Sequence, residues 1–371
     1  MKYYLIAGEA SGDLHGANLM KAIKQHDEAP EFRFLGGDLM KVQGGDIVKH
    51  YAEMAYMGFV EVALNLRTIL KNMSLAKADL LKYQPDALIL IDFPGFNLKI
   101  AEFAKQHGIK VYYYISPKVW AWNQKRVLKI KKVVDRLFCI LPFEVEFFRS
   151  WGMEVDYVGN PLLDAVAAFT PDESFLTKYA LEGKQIIALL PGSRKQEINK
   201  ILPDMLQTAG RFAGYTFIIA GAPGFSKEFY QDIAGNSSIQ VIFNATYDLL
   251  SHAQAAIVAS GTATLETALF NVPQVVVYKG SAISIAIARM VIKIRFISLV
   301  NLIMDREVVR ELIQQDCNAV QIGNELNKLL EGGHREKMLS DYQELFSRMG
   351  EPGASEKTAG LIMDDLRRGI A

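Results

Sequence analysis

Five short segments concentrate residue types that bind anions or move protons. The first, Gly8-Glu9-Ala10-Ser11-Gly12-Asp13, follows an apolar run and opens a helical pattern. Gly8 and Gly12 permit a tight turn and close backbone approach. Ser11 or Asp13 can cap the helix, which leaves Glu9 and His15 as acid–base candidates. An ordinary strand-to-helix turn explains the same residues, and the spacing is not the Gly-x-Gly-x-x-Gly of dinucleotide-binding loops. The second segment, Ile91-Asp92-Phe93-Pro94-Gly95-Phe96-Asn97, places a carboxylate just past the apolar run 87–91. A partly desolvated Asp92 can take a proton from a hydroxyl nucleophile. The alternative is that Asp92 caps a helix starting near Leu98 or fixes the Pro94-Gly95 turn.

The third segment is Ser116-Pro117-Lys118-Val119-Trp120-Ala121-Trp122-Asn123. Two tryptophans and Lys118 at a loop–helix junction read as a binding surface. Lys125, Lys129 and Lys132 follow at helical spacing with Arg126 alongside, opposite Val127, Ile130 and Val134. Such a stripe attracts anionic headgroups or a phosphate, or is simply a solvated face. The fourth segment, Pro191-Gly192-Ser193-Arg194, offers backbone amides at a helix start plus a guanidinium, a phosphate-binding combination; Arg194 as a surface ion-pair residue is the plainer alternative. The fifth, Ser260-Gly261-Thr262-Ala263-Thr264-Leu265-Glu266, is small, hydroxyl-rich and opens a helix. It suits a pyrophosphate, with Glu266 one turn in to accept from ribose hydroxyls. The same residues also make a good N-cap with Glu266 steadying the first turn.

Metal chemistry is not expected. His15, His26, His50, His107, His252 and His334 show no ligand spacing, and there is no Asp-x-Asp pair, nucleophile elbow or Walker loop.

The elements that must position these segments are β-rich apolar runs alternating with helical patterns. Runs at 3–7, 32–35, 87–91, 111–115, 137–141 and 155–158 fill the first half, and runs at 186–190, 216–220, 239–242, 255–259, 274–278 and 296–300 the second. Most are continuously apolar, as in strands buried on both faces of a parallel sheet. The pattern predicts an α/β protein with two doubly wound, Rossmann-like domains facing each other. The turn-rich stretch 165–184 separates them, giving domains at 1–168 and 180–332 and a helical tail at 333–371. Ligands of such sheets bind past the carboxyl ends of the strands, where all five segments fall.

The remaining composition narrows the class. Among 371 residues, 41 Lys and Arg balance 41 Asp and Glu, so no global positive field favours nucleic acid. Cys139 and Cys317 lie far apart and suit a reducing compartment. The apolar start is too short for a signal peptide. The longest apolar stretch, 281–304, is interrupted by Arg289, Lys293 and Arg295, which argues against spanning a membrane but not against lying on one. Two apolar patches, 57–70 and 281–293, serve either as core or as contact for acyl chains.

Taken in order, Ala7-Gly8-Glu9-Ala10-Ser11-Gly12-Asp13, Ser116-Pro117-Lys118-Val119-Trp120-Ala121-Trp122, Leu190-Pro191-Gly192-Ser193-Arg194 and Ser260-Gly261-Thr262-Ala263-Thr264-Leu265-Glu266 resemble the lipid A disaccharide synthase family. Leu299-Val300-Asn301-Leu302-Ile303 followed by Arg306-Glu307 also matches, so the resemblance covers about residues 3–318. It implies a B-type glycosyltransferase fold and an inverting, metal-independent reaction without a cofactor. The donor would be UDP-2,3-diacylglucosamine, the acceptor 2,3-diacylglucosamine 1-phosphate, and the products a β-1,6-linked disaccharide 1-phosphate and UDP. The protein would sit in the cytoplasm, peripherally on the inner face of the inner membrane, with no nucleic-acid partner; a homo-oligomer stays open.

In that scheme Gly261, Thr262 and Thr264 hold the donor diphosphate, Glu266 the ribose, Gly192, Ser193 and Ser260 also bind the donor, and Arg194 neutralises the leaving group. Asn301 resembles a family residue near the donor. Ser11, Lys118, Trp120, Lys125, Arg126 and Lys129 lie on the acceptor and membrane side. The family segment often reads Asp-x-Pro-Asp-Phe-Asn, but here Gly95 replaces the second acid. Either Asp92 is the base, or Glu9 or Asp86 serves, or the second acid is not essential. Asn160 also stands where the family usually has histidine, so no histidine role carries over there. A UDP-N-acetylglucosamine 2-epimerase-like enzyme and a non-catalytic UDP-sugar binder are the rival readings.

Overall fold

The structure, a computed structural model, describes residues 1–54, 65–235, 239–280 and 295–368. The apolar patch at 281–293 and the 57–64 part of the patch at 57–70 therefore lie outside the described residues. The chain forms two compact units, Met1–Asp164 with Glu351–Ala371, and Ala165–Gly350.

The first unit is built on seven parallel strands: β1 (Lys2–Ala7), β2 (Glu31–Gly36), β3 (Asp46–His50), β4 (Ala87–Ile91), β5 (Lys110–Tyr114), β6 (Arg136–Cys139) and β7 (Asp156–Tyr157). Their order is β3-β2-β1-β4-β5-β6-β7. The central strands are apolar throughout because helices cover both faces, and all five residues of β4 are buried. β3 was not expected. It is an edge strand in which Asp46, Lys49 and His50 interrupt the apolar pattern, as edge strands tolerate.

The second unit holds six parallel strands: β8 (Ile186–Leu190), β9 (Thr216–Gly221), β10 (Gln240–Phe243), β11 (Ala253–Ala259), β12 (Gln274–Tyr278) and β13 (Arg310–Ile313), ordered β10-β9-β8-β11-β12-β13. The strand expected at 296–300 is instead a loop entering the helix Leu299–Met304. The Ser298 hydroxyl accepts from the Asn301 amide and caps that helix, which tips an ambiguous apolar run away from extended structure. The sixth strand is β13, whose Arg310 and Glu311 hid it from a search for apolar runs.

The helical tail expected at 333–371 consists of two helices, one packed in each unit. Its first helix, His334–Met349, packs in the second unit, where the Gln274 amide donates to the Tyr342 hydroxyl at 3.1 Å. Its second helix, Ala354–Arg368, joins the first unit, where the Tyr112 hydroxyl donates to Asp365 at 2.6 Å and Lys110 pairs with Asp365 at 2.9 Å. Each helix buries an apolar stripe against its own unit, so the charged composition of the tail marked only its outer face.

Both sheets reverse their strand order once. In the first unit the chain leaves β1 toward β2 on one side and returns on the other as β4; in the second, β8 and β11 bear the same relation. At such switch points the loops past adjacent strands diverge and leave a crevice. Among the described residues, no helix is long and apolar enough to cross a membrane.

Candidate active site

In the first unit the switch point joins the segments containing Glu9 and Asp92. Ala7 pairs with Ile91, so the loops leaving β1 and β4 start side by side. The Glu9 backbone is extended, its carbonyl accepts from the Asp13 amide at 2.9 Å, and its side chain does not cap the helix Ala10–His26. Neither cap expected from the sequence is seen. Ser11 is exposed within the helix, and Asp13 is buried, accepting from the amides of Gly37, Leu39 and Met40 at 2.7–3.1 Å. Asp13 thus caps the neighbouring helix Asp38–Val42 rather than its own.

Asp92 and Phe93 both have left-handed backbones, with φ of 42° and 51°. Non-glycine residues hold that conformation only when their surroundings enforce it. Here the Tyr113 hydroxyl and the Asn97 side-chain amide both donate to the Asp92 carbonyl, at 2.5 and 2.8 Å. The helix begins at Pro94, with no side-chain cap, so Asp92 is not the cap expected near Leu98. Burial raises the Asp92 carboxyl above its ordinary 3.8, and the Lys118 ammonium partly offsets this. Gly95 sits in the first helical turn, where a side chain would meet nothing within 4 Å.

The 116–120 segment follows β5. Lys118 is exposed on the loop that leaves β5 beside Asp92, whose amide donates to the Tyr114 carbonyl at 3.2 Å, and its charge favours the ionised Asp92 carboxyl. Trp120 is not a binding surface: it is 7% exposed, its ring edge packs on Phe143, and its indole donates to Glu144 at 3.0 Å. The lysine stripe is also broken. A 3-10 turn, Gln124–Arg126, precedes the helix Val127–Val133, so Lys125 does not share a helix with Lys129, which pairs with Glu102 at 2.7 Å. Arg126 stacks over the exposed Trp122 ring at 4.8 Å.

Asp86 lies at the wrong end of its strand. It precedes β4 and accepts from the Lys2 amide at 2.7 Å, at the amino edge of the sheet. Strand rise puts it roughly 17 Å from the carboxyl edge, too far to share a proton with a substrate at Asp92.

In the second unit the segments of Gly192 and Gly261 meet at the β8–β11 switch point, where Leu190 pairs with Val258. Gly192 has φ of 107°, a backbone conformation that L side chains rarely adopt, which favours glycine there. Ser193 and Arg194 are exposed; the guanidinium pairs with Glu197 at 3.1 Å while most of it faces solvent. The helix Thr262–Leu269 has no side-chain cap at Gly261, and a Cβ on Gly261 would meet nothing within 4 Å. Its Thr264 amide donates to the Gly261 carbonyl at 3.2 Å, and Gly261 offers no side chain to the amides before it, at a helix start of the kind that receives anions. Glu266 accepts from the Tyr247 hydroxyl at 2.8 Å, and burial raises its carboxyl above the ordinary range.

Three expected donor contacts are occupied internally. The Thr264 side chain is fully buried and its hydroxyl donates to the Gly261 carbonyl at 2.8 Å. The Ser260 hydroxyl donates to the Ile297 carbonyl at 2.9 Å. Asn301 is fully buried: its amide nitrogen donates to Val309 and Glu311, and its oxygen accepts from Val308 and Val309. It organises the 297–309 turn from inside.

The structure adds four residues the motifs did not reveal: Tyr113, Glu144, Tyr247 and Glu311. Tyr113 supports the Asp92 backbone carbonyl, and Glu144, Tyr247 and Glu311 support the side chains of Trp120, Glu266 and Asn301; none carries a local sequence signal. Glu311 accepts from the Ile297 and Ser298 amides, each at 2.9 Å, beside the Ser260 contact.

Comparison with other proteins fits this arrangement. The family model for lipid-A-disaccharide synthetase matches residues 3–363. The lipid-A-disaccharide synthase of Syntrophus aciditrophicus is 40% identical, over 98% of this chain and 97% of its own. That of Myxococcus xanthus is 36% identical, over 98% of this chain and 97% of its own. A UDP-GlcNAc 2-epimerase from Neisseria meningitidis, solved with UDP-GlcNAc, shares the fold at a TM-score of 0.68 and 13% identity, covering 99% of this chain and 100% of its own. A UDP co-structure of S. aureus MnaA aligns at a TM-score of 0.71 and 14% identity, over 99% of this chain and 97% of its own. The epimerase likeness extends to the fold alone. The sequence match runs through both switch-point loops of both units, and on it the chain belongs to the lipid-A-disaccharide synthase family of glycosyltransferases.

Proposed function

We propose that this glycosyltransferase moves 2,3-diacylglucosamine from its UDP derivative to the 6-hydroxyl of 2,3-diacylglucosamine 1-phosphate. The observation that carries the reading is Asp92: a desolvated carboxylate past the central strand of a parallel sheet, held in a left-handed backbone and opposed by Lys118. Asp92 takes the hydroxyl proton as the oxygen bonds to the donor's anomeric carbon. The bond from that carbon to the diphosphate oxygen breaks, and UDP carries away the electron pair. Attack opposite the leaving group inverts the anomeric centre. Glu9, on the adjacent loop, is the alternative base.

Arg194 and the amides at the start of the helix Thr262–Leu269 take up the charge that develops on UDP. Glu266 receives the ribose hydroxyls. These fixed donors do the work a divalent ion does in other transferases, so the reaction needs neither metal nor cofactor. Lys118, with Arg126 and Lys125 nearby in sequence, meets the acceptor phosphate. Acylated substrates call for peripheral contact with the cytoplasmic face of the inner membrane, and exposed Leu66, Leu70, Trp122 and Leu128 supply apolar surface on the first unit.

The test is turnover of both acylated substrates by purified protein in detergent with EDTA, followed by mass spectrometry. A disaccharide monophosphate formed with stoichiometric UDP is expected. UDP binding without product across several acyl lengths overturns the reading in favour of a non-catalytic binder.

A further inference from the structure

Glu144 is 1% exposed, and its carboxylate accepts four hydrogen bonds. One oxygen takes the Ile140 and Leu141 amides, at 3.2 and 3.0 Å. These bonds close the amino end of the helix Pro142–Ser150, a task that a neutral Gln or a capping Ser performs as well. The other oxygen takes the Ser116 hydroxyl at 2.5 Å and the Trp120 indole at 3.0 Å, both from the loop past β5. Burying a carboxylate is costly, and capping alone does not call for one.

The loop it grips leaves its strand awkwardly. Ile115 has φ of 66°, a strained conformation for a β-branched residue. The loop is tied on either side of Lys118, at Ser116 and Trp120, while Lys118 itself is exposed. Phe143, from the same helix as Glu144, holds the Trp120 ring edge-on at 4.9 Å.

We infer that Glu144 is a positioning residue: by binding Ser116 and Trp120 with one carboxylate oxygen, it fixes the loop between them so that Lys118 stays opposite Asp92. This rests on the proposed roles of Asp92 and Lys118. Among the described residues, the titratable and charged groups on the elements beside Asp92 include Lys118, from this loop, Tyr113, from β5, on which Arg126 also acts, and Glu9, on the loop past β1. Loosening the clamp lets Lys118 move away and removes its pull on the Asp92 proton.

Ser116→Ala and Trp120→Phe each delete one clamp bond and leave the helix cap intact, so they are the primary variants; Glu144→Gln is the third. The titration of Asp92 is read by NMR on carbon-13-labelled aspartate, assigned with Asp92→Asn, which needs no turnover. The expected result is a higher Asp92 midpoint in Ser116→Ala and Trp120→Phe, in the direction produced by Lys118→Ala. With substrates, the acceptor KM rises about tenfold, the size expected for a misplaced charged contact, while the donor KM stays unchanged. Adding Ser116→Ala to Lys118→Ala produces no further change, because the first acts through the second. A lowered melting temperature with an unchanged Asp92 midpoint shows a purely structural clamp and overturns the inference. Wild-type protein that titrates as expected but makes no disaccharide defeats the proposed reaction and leaves the clamp standing.

Discussion

Gly8 lies directly against the ring of Phe93, so close that a Cβ on Gly8 would overlap the ring atoms. The first residue past β1 and the second past β4 thus share one space, and Asp92 is held between that contact and its own strand. Gly8→Ala is expected to displace Phe93 and rotate Asp92. Overpacking of this kind costs about 1–3 kcal/mol. Thermal unfolding and turnover together check it, with activity falling further than the stability loss explains.

Asp92→Asn is expected to reduce turnover by about 10²–10⁴-fold, the usual contribution of a general base. Burial raises the Asp92 carboxyl, so wild-type turnover should fall as pH drops through that raised value. Lys118→Ala should move this acid limb to higher pH. The stability sign is opposite. The native state holds the Asp92 proton more tightly than the unfolded chain, so this contribution is full below the ordinary carboxylate value and is lost as pH rises through the native one. Asp92→Asn should therefore melt no lower than wild type at neutral pH. A variant that keeps full turnover transfers the base to Glu9, where Glu9→Gln is the check.

Gly95→Asp should be accepted without strain. The position is exposed, and a Cβ there meets open space. Replacing glycine in a helix and adding an acid to its first turn are each worth a few tenths to about 1 kcal/mol. The melting temperature should hold or rise, and in an Asp92→Asn background the new carboxylate should recover part of the lost turnover. No recovery in that double variant shows that a carboxylate there does not reach the hydroxyl.

Asp86→Asn should leave kcat and both KM values at wild type, because Asp86 serves the amino edge of the sheet through Lys2. A loss of about 1 kcal/mol in denaturant unfolding is the expected cost of weakening that bond.

Asn301→Ala should be severe for folding. Four hydrogen bonds end on its buried amide, and truncation leaves several backbone groups unpaired, at about 1–3 kcal/mol each. A melting temperature close to wild type with a raised donor KM would instead give Asn301 a direct role at the donor.

How much of this was legible without coordinates depends on the range of the forces involved. Continuous apolar runs such as 87–91 and 186–190 reveal buried parallel strands because burial on both faces leaves no polar position to confuse the pattern. The loops past them are recognisable because tight turns and anion cradles need glycine and small hydroxyl residues at close spacing. Local rules of this kind identified both units and the two switch-point loops in each.

Local patterns were blind to which groups of a motif are already satisfied. Ser260 and Asn301 carry hydrogen-bonding groups in sequence, yet those groups are used by Ile297 and by Val309 and Glu311, contacts that the motif spacing does not reveal. Trp120 looked like a surface anchor until Phe143 and Glu144, more than twenty residues away, enclosed it. The polar strands β3 and β13 and the division of the final helices between two units were likewise settled by partners distant in the chain. The sequence alone determined where the central strands β1, β4, β8 and β11 end and which residues stand past them. The tertiary structure decided which of those residues keep a free polar group, because hydrogen-bond satisfaction depends on neighbours that sequence spacing does not reveal.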